Sequence, residues 1–156
     1  MTITFFLNGK ERTFAAAPGD LLLDLLRREG FFGVRRGCET GDCGNCGVIL
    51  DGKMVNSCLT LAAQVEGRKV ETIEGLAQGE MLHPLQEAFL AHGAAQCSYC
   101  MSAMILSAGC LLEKNPDPSE IEVREAIDGV LCRCTGYKIP VEAIMDAAEI
   151  IRGGSL

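Results

Sequence analysis

Eight of the nine cysteines in this 156-residue chain fall into two quartets, and no other feature limits the possible folds so far. Cys38, Cys43, Cys46 and Cys58 form the first; Cys97, Cys100, Cys132 and Cys134 form the second. A quartet with a shared purpose must converge, so each one dictates where its own stretch of chain turns back. Tight cysteine spacings in a chain without a signal-like start point to metal or redox chemistry rather than disulfides. Residues 1–10 show no basic region ahead of an apolar run. The longest mostly apolar stretch, residues 103–112, is too short to cross a bilayer. These features imply a soluble, cytoplasmic protein, which only a partner with its own export signal would carry elsewhere.

The first quartet reads C-x4-C-x2-C, with eleven residues between Cys46 and Cys58. That is the spacing of a plant-type [2Fe–2S] loop. Such a cluster needs four thiolates and backbone close enough to donate N–H bonds to sulfur. Gly37, Gly41, Gly44 and Gly47 interleave with the cysteines and let the loop curl tightly. Arg35 and Arg36 either add to the local field or are solvated loop charges. Structural zinc usually shows two paired knuckles, whereas here three thiols crowd one loop and the fourth stands alone. Rieske-type ligation is disfavoured, because His83 and His92 lie far from the loop.

The second quartet is less telling by spacing alone. Cys97-x2-Cys100 and Cys132-x-Cys134 are separated by thirty-one residues, and zinc, or one functional pair with two bystanders, remains a competing reading. Each pair lies at or just before a helical segment, so two helix amino ends could meet there and favour thiolate charge. Cys110 is left over, inside a helical stretch beside Leu111 and Leu112, and reads as a small buried hydrophobe.

The remaining pattern divides the chain. Thr2–Leu7 and residues 12–16 flank Asn8-Gly9, a hairpin signal, and residues 48–50 and Lys53–Asn56 flank Asp51-Gly52, a second one. Between them Asp20 is placed to cap a helix with Leu21, Leu22, Leu25 and Leu26 as its buried stripe and Gly30 as its stop. Residues 69–73 supply a closing strand. Helical periodicity then covers residues 83–92, 99–114, 119–127 and 141–151. The expected fold class is α+β: a ferredoxin-like β-grasp domain over residues 1–77, then a four-helix bundle domain over residues 78–156, joined near residues 75–80. Of the net charge of −7, residues 1–78 hold −1 and residues 79–156 hold −6. There is no basic face for phosphate, so nucleic acid is not an expected partner. No nucleophile–base pair or phosphate-binding loop is evident, and His83 and His92 read as helix-end residues.

With both quartets in view, the chain resembles the small iron–sulfur subunit of the molybdenum hydroxylases, the xanthine dehydrogenase, aldehyde oxidoreductase and carbon monoxide dehydrogenase family. The resemblance runs through VRRGCETGDCGNCGVILDG, VNSCLTLAAQVEG, TIEGLA, HPLQEAF, AQCSYC and LCRCTGY. It implies two [2Fe–2S] clusters, one per domain, on the eight cysteines named. It also implies a large molybdopterin-binding partner subunit and a medium FAD-binding one. The residues matching Gln96 and Cys134 approach the pterin in that family, and the amino-domain cluster passes electrons to a flavin or external acceptor. A free-standing two-cluster electron carrier is the alternative. The chain departs from the family pattern C-G-F-C-T-P-G-M, having Cys97-Ser98-Tyr99-Cys100-Met101-Ser102-Ala103-Met104 instead, which implies a slightly altered approach to the pterin. In the first loop, Asn45 and Gly47 replace the common Ala and Thr.

Overall fold

The computed structural model describes residues 1–154. Strand β1 (Thr2–Leu7) points Ile3, Phe5 and Leu7 inward, and β2 (Lys10–Ala15) returns through a two-residue turn at Asn8-Gly9. Both turn residues have positive φ, 51° and 74°, which matches the twist of a tight hairpin. Strands β3 (Gly47–Leu50) and β4 (Lys53–Asn56) repeat the device through Asp51-Gly52. Strand β5 (Lys69–Glu71) runs parallel to β1 and antiparallel to β3, giving the order β2-β1-β5-β3-β4. The closing strand stops at Glu71, because Thr72 is buried and its N–H is taken by Asn8 Oδ1 at 2.8 Å.

Helix α1 (Leu22–Arg28) covers one sheet face with Leu22, Leu23, Leu25 and Leu26, against Ile3, Phe5, Phe14 and Val70. The expected cap at Asp20 is not made. Leu21 is the residue before the helix, and the Leu22 N–H is taken by the Thr60 carbonyl at 2.8 Å. Asp20 instead accepts from the Ala17 N–H and from Arg28, each at 3.1 Å. A distant backbone thus satisfies the helix start that a local side chain would otherwise cap. Gly30, at φ +90°, follows the helix as expected.

The second half is four helices: α2 (Pro84–Ala91), α3 (Met101–Lys114), α4 (Glu120–Asp128) and α5 (Lys138–Arg152). His83 caps α2, its Nδ1 accepting from the Leu85 N–H at 3.2 Å, and Ser119 caps α4. Their core gathers Leu85, Phe89, Met104, Ile105, Val123, Ile127, Val141 and Ile144. Met101, Leu111 and Ile151 close its edge, half-buried. Strand β3 is buried on both faces because α3 lies on the side away from α1. Ile49 meets Leu106 and Cys110 there, with Met54 beside them, so the leftover thiol packs as an apolar side chain.

Candidate metal centres

The first quartet lies in the loop between α1 and β3, with Cys58 on the short 3-10 turn after β4. The loop closes where the Arg35 N–H donates to the Asn45 carbonyl at 3.3 Å. Inside it, Cys38 N–H points to Cys43 Sγ at 3.5 Å, and Cys43 N–H returns to Cys38 Sγ at 3.3 Å. Thr40 N–H adds a third approach to Cys38 Sγ at 3.4 Å. Amide donors thus already surround the sulfurs. Cys46 and Cys58 form a second, deeper pair, both buried. Ser57, fully buried, holds them in register by donating its hydroxyl to the Cys46 carbonyl at 2.7 Å. A methyl at Gly37 would lie 2.7 Å from Cys43 Sγ, so only glycine leaves that thiol its space.

The second quartet joins two loops. Cys100 immediately precedes α3, and Cys132 and Cys134 lie in the loop between α4 and α5. Cys97 meets Cys134, and Cys100 meets Cys132. The loop is shaped by Tyr137, whose hydroxyl accepts from the Cys132 N–H at 2.9 Å and donates to the Val130 carbonyl at 3.2 Å. Thr135 Oγ1 lies 3.1 Å from Cys132 Sγ. Neither Tyr137 nor Ser57 was singled out from sequence. The signal for Tyr137 was its place after Gly136 in the second cysteine motif, where both adopt positive φ. Ser98 also has φ +62°, a conformation that costs a residue with a Cβ about 1–2 kcal/mol.

The thiol environments differ within each quartet. The Thr40 side chain, then the Thr40 and Cys43 amides, hold Cys38 down at about 6. Burial, then the adjacent Cys46 thiol, push Cys58 up to about 11. Burial and then Cys132 push Cys100 up to about 12. Cys134 is raised chiefly by the Cys97 thiol beside it. Burial pushes Cys132 up, but bonds from Thr135 and the Cys134 amide outweigh it and lower the thiol overall. Crowded thiols resist ionising together unless a cation compensates them, which is what metal binding provides. None of the nine cysteines is in a disulfide. Among the described residues, no three His, Cys, Asp or Glu side chains converge tightly enough to grip one ion. Two thiols for each of two irons is the requirement of a [2Fe–2S] cluster, and the pairs present fit that donor set.

The two sites touch. The Leu131 N–H, next to Cys132, donates to the Cys43 carbonyl at 2.9 Å. The Tyr99 hydroxyl donates to the Arg36 carbonyl, and the Arg35 guanidinium sits 5.8 Å from the Tyr99 ring centre. A phenylalanine at position 99 would lack that hydroxyl contact. Gln96, Cys97 and Cys134 are exposed, and Leu131 beside them is 56% exposed. The second site therefore opens to the surface, while half of the first is shut inside. His92 stands apart from both, its Nε2 3.0 Å from Asp146.

Residues 5–77 match the family described as a 2Fe-2S iron-sulfur cluster binding domain, and residues 72–145 match a [2Fe-2S] binding domain. The chain is 50% identical to the nicotine 6-hydroxylase small subunit of Paenarthrobacter nicotinovorans, covering 90% of this chain and 86% of that one. It is 48% identical to the aldehyde oxidoreductase of Megalodesulfovibrio gigas, covering 94% of this chain and 17% of that longer protein. Among solved structures, a chain of quinoline 2-oxidoreductase from Pseudomonas putida 86 superposes with a TM-score of 0.94 at 46% identity, covering 100% of this chain and 98% of that one.

Proposed function

We infer the role of this chain from the family to which it belongs, the small iron–sulfur subunits of the molybdenum hydroxylases. It is an electron-transfer subunit of an oxidoreductase complex. In the assignment we favour, Cys38, Cys43, Cys46 and Cys58 hold one [2Fe–2S] cluster, and Cys97, Cys100, Cys132 and Cys134 hold the other. A division near residues 77 and 78 follows the change from a sheet core, whose last buried member is Val70, to a helical core, against which Ile73 and Leu76 already pack. When bound, the clusters supply one-electron storage. The chain's own residues do the rest: the Cys38, Thr40 and Cys43 amides offset negative charge on sulfur, and Ser57 and Tyr137 hold the ligand loops in shape.

The exposed Gln96, Cys97 and Cys134 suit the side that meets a large molybdopterin-binding subunit. Electrons entering there leave from the side of the first quartet, to an FAD-binding subunit or an external acceptor. A cytoplasmic location completes the reading; among the described residues, no helix is long and apolar enough to cross a membrane.

One observation carries the reading: both quartets converge as pairs, and a single backbone hydrogen bond, Leu131 to Cys43, ties their loops together. The test is an iron and absorption assay of the protein isolated with whatever it binds. About four irons per chain with ferric–sulfide bands are expected, together with a large co-purifying subunit. Zinc in place of iron would overturn the cluster assignment. An iron-loaded chain that is always isolated alone would favour the free-standing carrier.

A further inference from the structure

We propose that the Asn45 side chain sets the reduction potential of the first cluster by directing its amide N–H toward the sulfur gathered at Cys43, a proposal that rests on the cluster assignment above. Asn45 lies between two ligands, Cys43 and Cys46, and is only 7% exposed. Its backbone carbonyl closes the loop with Arg35. Its Oδ1 is buried with no hydrogen-bond partner. Buried amides are nearly always matched, so an unmatched one beside a metal loop needs an explanation.

The space above Gly37 supplies it. A methyl built there would lie 2.7 Å from Cys43 Sγ and 3.8 Å from Asn45 Nδ2, so the thiol and the amide share one small volume. An amide has a donor end and an acceptor end, whereas thiolate sulfur is an acceptor carrying negative charge. Only the N–H end is attractive toward it. Oδ1 must then face away, and the other buried side-chain atom left unmatched among the described residues is Arg35 Nε, a donor on the residue whose backbone N–H closes the loop with the Asn45 carbonyl. The two unmatched atoms are complementary, and pairing them would fix the amide with Nδ2 toward Cys43.

Reduction adds one negative charge to the cluster, so an N–H donor stabilises the reduced form more than the oxidised one and raises the potential. The main-chain donors at Cys38, Thr40 and Cys43 are present whatever the side chains. Thr40 adds a side-chain donor at Cys38, and beside Cys43 Asn45 is the side-chain donor that substitution can remove.

The experiment is a redox titration of the whole complex, following each cluster's own EPR signal, with Asn45→Ala, Asn45→Asp and Asn45→Ser beside the unsubstituted protein. Asn45→Ala is expected to lower the reduced-to-oxidised ratio of the first cluster about tenfold at a fixed potential, equivalent to about 59 mV for one electron. Asn45→Asp keeps the shape but replaces the donor with negative charge, so its shift is expected to be larger. Asn45→Ser restores a donor and recovers part of the loss. The second cluster is the internal reference and stays unchanged. An unshifted first cluster with an intact signal in Asn45→Ala would overturn the proposal. So would equal shifts in both clusters, or a potential in Asn45→Asp equal to that of the unsubstituted protein, since shape alone would then suffice. No first-cluster signal in the unsubstituted protein would instead refute the cluster assignment, and the proposal with it.

Discussion

Gly44 is the most exacting position in the seam between the two cysteine loops, and Gly44→Ala tests whether those loops press together. Its φ is +68°, and an added methyl would meet the Gly129 carbonyl oxygen at 2.0 Å, the Gly129 carbonyl carbon at 2.9 Å and Val130 Cα at 3.1 Å. All three are backbone atoms at the end of α4, so no side chain can swing aside. The left-handed conformation alone costs alanine about 1–2 kcal/mol. Opening the seam also breaks the neighbouring bond from Leu131 to Cys43, a further 0.5–1.5 kcal/mol or so. A loss of roughly 1.5–3.5 kcal/mol follows, which lowers the thermal midpoint of a chain this size by roughly 3–14 °C. Gly52→Ala is the control: φ is +76°, but nothing lies within 4 Å of the added methyl, so only the conformational cost applies. Denaturant and thermal unfolding of the two variants, alongside the unsubstituted protein, measure the difference. Equal losses at Gly44 and Gly52 would refute the argument, because the contact with Gly129 would then contribute nothing.

Two further substitutions probe separate parts of the chain. Cys43→Ser is expected to remove the first EPR signal and leave the second; disappearance of both would mean that the Leu131 link makes the sites fold as one unit. Ser119→Ala removes the hydroxyl that accepts the Glu122 N–H at 3.3 Å and is expected to destabilise the chain by about 1 kcal/mol at neutral pH. The Ser119 amide, then its hydroxyl and the Asn115 side chain, hold the Glu122 carboxyl below its usual value of 4.5. Its contribution is therefore present above about pH 4.5 and fades as pH falls through the lowered folded value. The deficit of Ser119→Ala should shrink over that acid range, and a deficit that stays constant in denaturant titrations down the pH scale would contradict this account.

Local features of the chain were legible to the extent that local chemistry decides them. Asn8-Gly9 and Asp51-Gly52 make tight hairpins because their side chains and spacing allow positive φ without help from elsewhere. Ser119 caps its helix because its partner, Glu122, is three residues away. Asp20 does not cap, because Thr60, forty residues downstream, satisfies the helix start first. The burial of both faces of β3 was hidden for a similar reason: a helix from the other half supplies the second cover.

By itself the amino-acid order determined the chemistry: eight thiols in two sets, glycines that let a loop curl, and the switch from period-two to helical patterning. Tertiary structure alone decided that Cys97 meets Cys134, that Cys100 meets Cys132, and that Leu131 bonds to Cys43. It also seated Gly44 against Gly129 and left the Asn45 amide unmatched in the first loop. Spacing along a chain limits which atoms are able to converge. The packing of helices far apart in sequence chooses which of them do, and no short window of residues contains that choice.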